Sequence, residues 1–154
     1  MAYQIRQYGL QQGALEIQYI EEFFGEFPRR KTSVEVVSRL GSRDHQIVMA
    51  EAALTSDPEA VVPVAFKVSH ELRPFETDKK LADLVSRLAG CVQFKNRRIL
   101  YSWIGGTRRD WRGRGFFRAL TEQQEAWAID NGFDEVVVKT KNRFYDMRAP
   151  LDQL

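Results

Sequence analysis

Cysteine and histidine are scarce in this sequence, and each shortage removes a class of protein. Among 154 residues there is one cysteine, Cys91, so no internal disulfide framework can form and a reducing cytoplasm is the expected compartment. His45 and His70 are the only histidines, and with Cys91 they show no zinc-ligand spacing, so no metal is expected. Long apolar runs are missing, and Met1 to Arg6 lacks the basic-then-apolar layout of a signal peptide, so no membrane role is expected. Internal repeats and low-complexity segments are absent as well. Neither sign of charge dominates: 23 Lys and Arg face 21 Asp and Glu, a formal net charge of +2. That is too small an excess to argue for nucleic acid. What remains is 44% apolar and 29% charged, the composition of one soluble globular domain over residues 1–154.

The charges are unevenly spread. Arg108, Arg109, Arg112, Arg114 and Arg118 crowd one short stretch, while acidic residues gather at Glu21, Glu22 and Glu26 and along Glu122 and Glu125. A local basic patch on a nearly neutral chain points to one anionic ligand rather than a long polyanion. No aromatic-basic interleaving extends beyond that patch, which disfavours a nucleic-acid binder.

Periodicity predicts a short strand at 3–6 and an amphipathic helix at 14–24, broken by Gly25 and Pro28. A second helix is expected over 33–40, with Ser33 as N-cap and Gly41 as stop. Two strands, 45–53 and 60–70, flank a turn-rich link and read as an antiparallel hairpin, with Pro63 marking a strand start or a bulge. Residues 77–89 carry leucines at helical spacing. The apolar run 99–104 reads as a strand, 116–130 as a helix with Phe117, Leu120 and Trp127 on its apolar side, and 133–140 as a buried strand. A further helical turn or two is expected after Asn142, delayed or broken by Pro150. Cys91 is expected to pack as a small apolar residue, and the histidines to be structural or exposed.

The chemistry concentrates between Ile99 and Thr140, which reads strand, glycine-rich loop, helix, strand. The loop Arg109-Asp110-Trp111-Arg112-Gly113-Arg114-Gly115 opens directly into the helix at Phe116. The first turn of a helix has amides without internal partners, and the aligned peptide dipoles make that end positive, so a phosphate docks there readily. Glycine permits dihedrals closed to other residues and lets phosphate oxygens approach the main chain. The arginines can add charge-assisted hydrogen bonds. The loop is neither a Walker A sequence nor a Gly-x-Gly-x-x-Gly fingerprint, since Arg118 stands three residues after Gly115. Gly105-Gly106, at the end of the preceding strand, predicts a bulge or bend that would splay this strand from its neighbour.

These residues resemble the coenzyme A motif of the GCN5-related N-acetyltransferases. The family pattern, Gln/Arg-x-x-Gly-x-Gly/Ala, falls on Asp110-Trp111-Arg112-Gly113-Arg114-Gly115, with Asp110 departing at the first position. Pro63-Val64-Ala65-Phe66-Lys67 is similar to the third strand of some members, and Thr140 to Met147 to the segment after the fifth. The resemblance covers nearly the whole chain. It implies a mixed, mostly antiparallel α/β sheet flanked by helices and lacking the family's last two strands. An uncovered edge there leaves a homodimer open.

The same resemblance implies an acetyltransferase that moves acetyl from acetyl-coenzyme A to an amine acceptor. Ile104, Gly105, Gly106 and Thr107 would hold the pantetheine arm. Arg112, Gly113, Arg114, Gly115 and Phe116 would hold the diphosphate, with Asn142 as a further contact. The family's thiolate-protonating tyrosine aligns with Leu151, which leaves Tyr145 as the nearby candidate acid. Tyr101, Ser102 and Glu51 are further candidates for the cleft. The alternative is a catalytically weak or inactive acyl-coenzyme A-binding domain that acts as a sensor.

Overall fold

The structure, a computed structural model, describes residues 3–23, 31–54, 56–57, 59–140 and 143–147. In chain order the elements are β1 (Tyr3–Tyr8), α1 (Leu10–Phe23), α2 (Ser33–Leu40), β2 (His45–Ala53), β3 (Val61–Leu72) and α3 (Lys79–Leu88). They continue with β4 (Ile99–Thr107), a 3-10 turn (Arg109–Trp111), α4 (Phe116–Asp130), β5 (Glu135–Thr140) and β6 (Arg143–Met147). The strands form one sheet in sequence order, every neighbour antiparallel except β4 and β5. That pair is parallel because α4 crosses over between them and returns the chain to the same end of the sheet. The mixed, mostly antiparallel architecture expected from the sequence is therefore what forms.

Side-chain alternation divides the core into two layers. In β2, Ile47 and Met49 pack with α1 and α2, while Val48 and Ala50 pack with Phe116 and Leu120 of α4. The leucines of α3 close over Ile99, Tyr101 and Val137. Three helices thus cover one face of the sheet and α4 covers the other. Thr32 caps α2 by accepting the Glu35 amide at 3.2 Å, one residue before the expected Ser33. Asp78 caps α3 by accepting the Leu81 amide at 3.0 Å. The irregularity beside Pro63 is a bulge: Ala50 faces Ala65 and Glu51 faces Pro63, which leaves Val64 as the extra residue.

Three expectations are corrected. Residues 143–147 form a strand rather than a helix, paired with β5 from Val136↔Met147 to Thr140↔Arg143. A short segment with mixed propensity takes the state that its surroundings pair, and β5 offered a ladder edge. This sixth strand covers the edge that the sequence left bare. Phe117 is 72% exposed although it sits in the apolar pattern of α4, and Cys91 is exposed rather than packed. Asn142 and Pro150 lie outside the described residues. Among the described residues no helix is long and apolar enough to cross a membrane.

Candidate active site

The site begins with a defect in β4. Val68 of β3 faces Ile104, but the next residue, Ser69, faces Ser102, so Trp103 has no partner across the ladder. Trp103 and Ile104 consequently both pack toward α1 and α2, where a regular strand would set neighbours on opposite faces. Ser102 points the other way and meets Gln124 of α4 at 3.3 Å. The expected bulge at Gly105-Gly106 thus falls at Trp103 instead. Gly105 and Gly106 stay in register with Lys67 and Phe66. Gly105 serves close approach, since a Cβ there would stand 3.2 Å from the Phe66 carbonyl oxygen.

The defect coincides with a parting of strands. β5 follows β4 only from Ile99↔Glu135 to Ser102↔Val138, and Lys139 and Thr140 continue against β6 alone. A bulge bends its strand and raises the local twist, so pairing with β5 ends where the bulge begins. Beyond Ser102, β4 remains paired on the β3 side while its opposite edge has no partner strand among the described residues. The sequence-predicted residues Ile104, Gly105, Gly106 and Thr107 all lie on this freed stretch.

At the end of β4 the chain turns across the face covered by α4. The Arg108 amide donates to the Val64 carbonyl at 2.8 Å, and Trp111 is buried against the α4 layer with its ring 6.2 Å from that of Phe116. Phe116 in turn meets Tyr3 edge to face at 4.9 Å. These two aromatic anchors hold a turn whose intervening residues, Arg112 to Gly115, are all exposed. Gly113 and Gly115 adopt φ of +76° and +81°, a region that other residues enter only with strain. A Cβ on either would meet no protein atom within 4 Å, so dihedral need and not crowding places glycine here. Gly115 caps α4, and the first i→i−4 bond runs from the Ala119 amide to the Gly115 carbonyl at 3.2 Å. By helix geometry the amides of Phe116, Phe117 and Arg118 precede that ladder. Arg114 lies over the Trp111 ring at 4.6 Å, and Arg112 reaches back to the Thr107 carbonyl at 3.4 Å. The result is a positive, main-chain-rich turn at a helix N-terminus beside the strand gap, which suits a diphosphate.

The side chains around the gap sort the remaining candidates. Lys67, opposite Gly105, is 7% exposed and donates to Thr121 Oγ1 at 2.8 Å. Burial pulls its amine down to about 8, with Glu125 opposing weakly. Glu51 is buried: it accepts from Arg6 Nε and Nη2 at 3.0 Å, from Gln4 at 3.1 Å and from the Tyr8 hydroxyl. Burial alone would raise its carboxyl, but these hydrogen bonds outweigh it and hold the group below the usual range. A carboxylate so engaged is a poor proton acceptor for substrate. Tyr101 faces α3, and Ser102 faces α4. Tyr145 lies opposite Val138 in β6, where the backbone alone is described.

Sequence reasoning missed the group on the other face of the gap. Arg39 of α2 lies over the Trp103 ring at 4.4 Å, with its Nη1 3.4 Å from His70 Nε2. His70 is fully buried and packs edge to face on Tyr101 and Trp103. Burial draws its pKa down to about 4. The residues come from three distant segments, so no local spacing could have announced them.

No family model matches the sequence, and no curated protein is similar to it by sequence. Solved structures do match in shape. NAA60 of Arabidopsis thaliana in complex with acetyl-CoA superposes with a TM-score of 0.64 at 14% identity, over 89% of this chain and 74% of that one. The ribosomal-protein-alanine N-acetyltransferase of Brucella melitensis biovar Abortus 2308 gives 0.58 at 15% identity, over 92% and 82%. An aminoglycoside acetyltransferase from an uncultured soil metagenomic sample, in complex with sisomicin, gives 0.53 at 13% identity, over 91% and 78%. The parted parallel strands, the glycine turn at the head of α4 and these superpositions together establish that the chain has the fold of the GCN5-related N-acetyltransferases.

Proposed function

We propose that the chain transfers an acetyl group from acetyl-coenzyme A to an amine. One observation carries the reading: β4 and β5 separate at Ser102 and Val138, beside an exposed turn of positive-φ glycines that opens α4. In this reading the amides from Arg112 to Phe116 hold the diphosphate, aided by the Arg112 and Arg114 guanidinium groups. The pantetheine arm runs along the freed edge of β4 at Ile104, Gly105, Gly106 and Thr107. A main-chain amide on that edge is the kind of donor that stabilises the oxygen of a thioester under attack. Asn142 and Tyr145 enter the proposal through the family resemblance alone.

The test compares two positive-φ glycines, Gly115 and Gly132. Gly132 has φ +76° but lies at the far end of α4. Valine at Gly115 or at Gly132 imposes a similar backbone strain. Only at Gly115 does the branched side chain also occupy the approach to the amides. Calorimetric titration of acetyl-coenzyme A should show affinity reduced by at least about tenfold, or ~1.4 kcal/mol, in Gly115→Val and unchanged in Gly132→Val. Equal affinity in both variants would remove the assignment. Tight binding without thiol release across a broad amine panel would make this a coenzyme-binding domain instead.

A further inference from the structure

The parting of β4 and β5 lies between two features on opposite faces of the sheet. On one side stands the Arg112 to Phe116 turn. On the other, Trp103 leads into a cavity of about 800 Å³ between α2 and the first turn of α3. A second cavity, about 570 Å³ between α1 and the start of β3, has no β4 residue in its lining. If the diphosphate sits at the turn, as proposed above, a thioester threaded through the gap meets its acceptor in the cavity over Trp103.

The charge of that cavity is lopsided. Lys31, Arg39, Lys79 and Lys80 line it, against Glu35 and Asp78. Among the described residues none of the four cations is in an ion pair. Both carboxylates hydrogen-bond locally, Asp78 to the Leu81 amide and Glu35 to the Thr32 hydroxyl at 3.3 Å, and act on Arg39 and Lys31 through space, two negative charges against four positive. Arg43, also in the lining, is neutralised by two 2.9 Å bonds to Glu76. Arg39 is held in place rather than left to wander. Its guanidinium lies over Trp103, with the ring of His70 beside it. His70 Nδ1 faces the Glu71 carbonyl at 2.8 Å, which assigns the proton to Nδ1 and turns the Nε2 lone pair toward Arg39. A preorganised guanidinium on an aromatic floor, flanked by lysines, is a carboxylate receptor.

Resting on the acetyltransferase reading, we infer that the acceptor is a primary amine carrying a carboxylate near that amine, and that polycationic amines are excluded. The positive lining serves the chemistry twice. It attracts the carboxylate, and it disfavours the ammonium form of the incoming amine. The ammonium loses one proton to solvent. Its nitrogen then bonds to the thioester carbonyl carbon, the carbon–sulfur bond breaks, and the second nitrogen proton passes to the departing sulfur to give the thiol and the amide. No protein carboxylate is required, in keeping with Glu51 being fully engaged.

The experiment first titrates acetyl-coenzyme A by calorimetry; absence of binding overturns the acetyltransferase reading and this inference together. With binding established, thiol release is measured with glycyl-glutamate, glycyl-glutamine and glycyl-lysine, each as its C-terminal amide so that the side chain alone sets the charge. The expected kcat/KM falls in that order, by on the order of tenfold between first and last, and the spread narrows at high salt. Equal rates, a preference for glycyl-lysine, or no turnover of any of them overturns the inference and leaves coenzyme binding standing. The exposed pair Lys79→Gln with Lys80→Gln should raise KM for glycyl-glutamate several-fold, without altering KM for glycyl-glutamine or the affinity for acetyl-coenzyme A. An unchanged KM for glycyl-glutamate also counts against it. The same amino termini on a longer, C-terminally amidated peptide identify the source, small acidic amine or acidic peptide end, and a preference for the acidic form of either upholds the inference.

Discussion

On the α4 face the candidate site is made of main chain, and on the opposite face the cavity over Trp103 is made of side chains. The first needs few residue identities: two glycines at positive φ and two aromatic anchors that pin the turn. The second needs several identities drawn from the α1–α2 link, α2, α3 and β4. Main-chain recognition suits a ligand that never changes, and side-chain recognition suits one that must be chosen.

The largest effect expected is at the anchor of the main-chain region. Trp111→Ala removes a buried indole, which should cost about 3–5 kcal/mol in denaturant unfolding. Because the turn loses its pin, coenzyme affinity should fall as well. A loss of stability with full affinity would show that the turn holds its shape unaided, and the contrast between the faces would weaken.

The side-chain region should respond to pH instead. His70 has its pKa lowered from the ordinary 6.5 to about 4 by burial, with Arg39 and Arg43 adding to the depression and Glu76 and the Glu71 carbonyl opposing it. The unfolded chain therefore binds a proton that the folded one refuses. Stability is full above pH 6.5 and is lost as pH falls toward 4, by roughly 3 kcal/mol in all. Thermal unfolding of the wild type and of His70→Gln across that window checks this. The variant should be less stable at neutral pH but show a flatter acid limb. Identical slopes would assign the acid sensitivity to other groups.

A smaller change sharpens the comparison from within the cavity. Asp78→Ala deletes the cap of α3 and should cost about 1 kcal/mol. It also deletes one of the two carboxylates lining the cavity, so KM for glycyl-glutamate should fall while coenzyme affinity stays constant. A rise in that KM would mean that the cap's positioning of Lys79 and Lys80 matters more than its charge.

This division also explains what could be read in advance. β2 and α4 have the bounds that periodicity predicts, because each carries its own pattern and its own stop signals. The glycine turn was legible for the same reason: glycine spacing before a helix is a local statement. Trp103 was not, since its bulge is a mismatch between β4 and β3 and no residue of β4 announces it. The glycines two and three positions later drew the expectation to themselves. Residues 143–147 were misread because their conformation is decided by the free edge of β5. Arg39 and His70 meet only after β3 and α2 have folded against each other.

The excursion from Arg73 to Arg98 has a consequence of its own. β3 and β4 are antiparallel neighbours, and a tight hairpin would suffice to join them. The helix carried there is topologically optional, and loop-closure entropy charges little for lengthening or trimming such a detour. Under the proposed function, selectivity for the acceptor would therefore drift by exchange of one insert, while the strand gap and the turn before α4 would keep the donor chemistry constant.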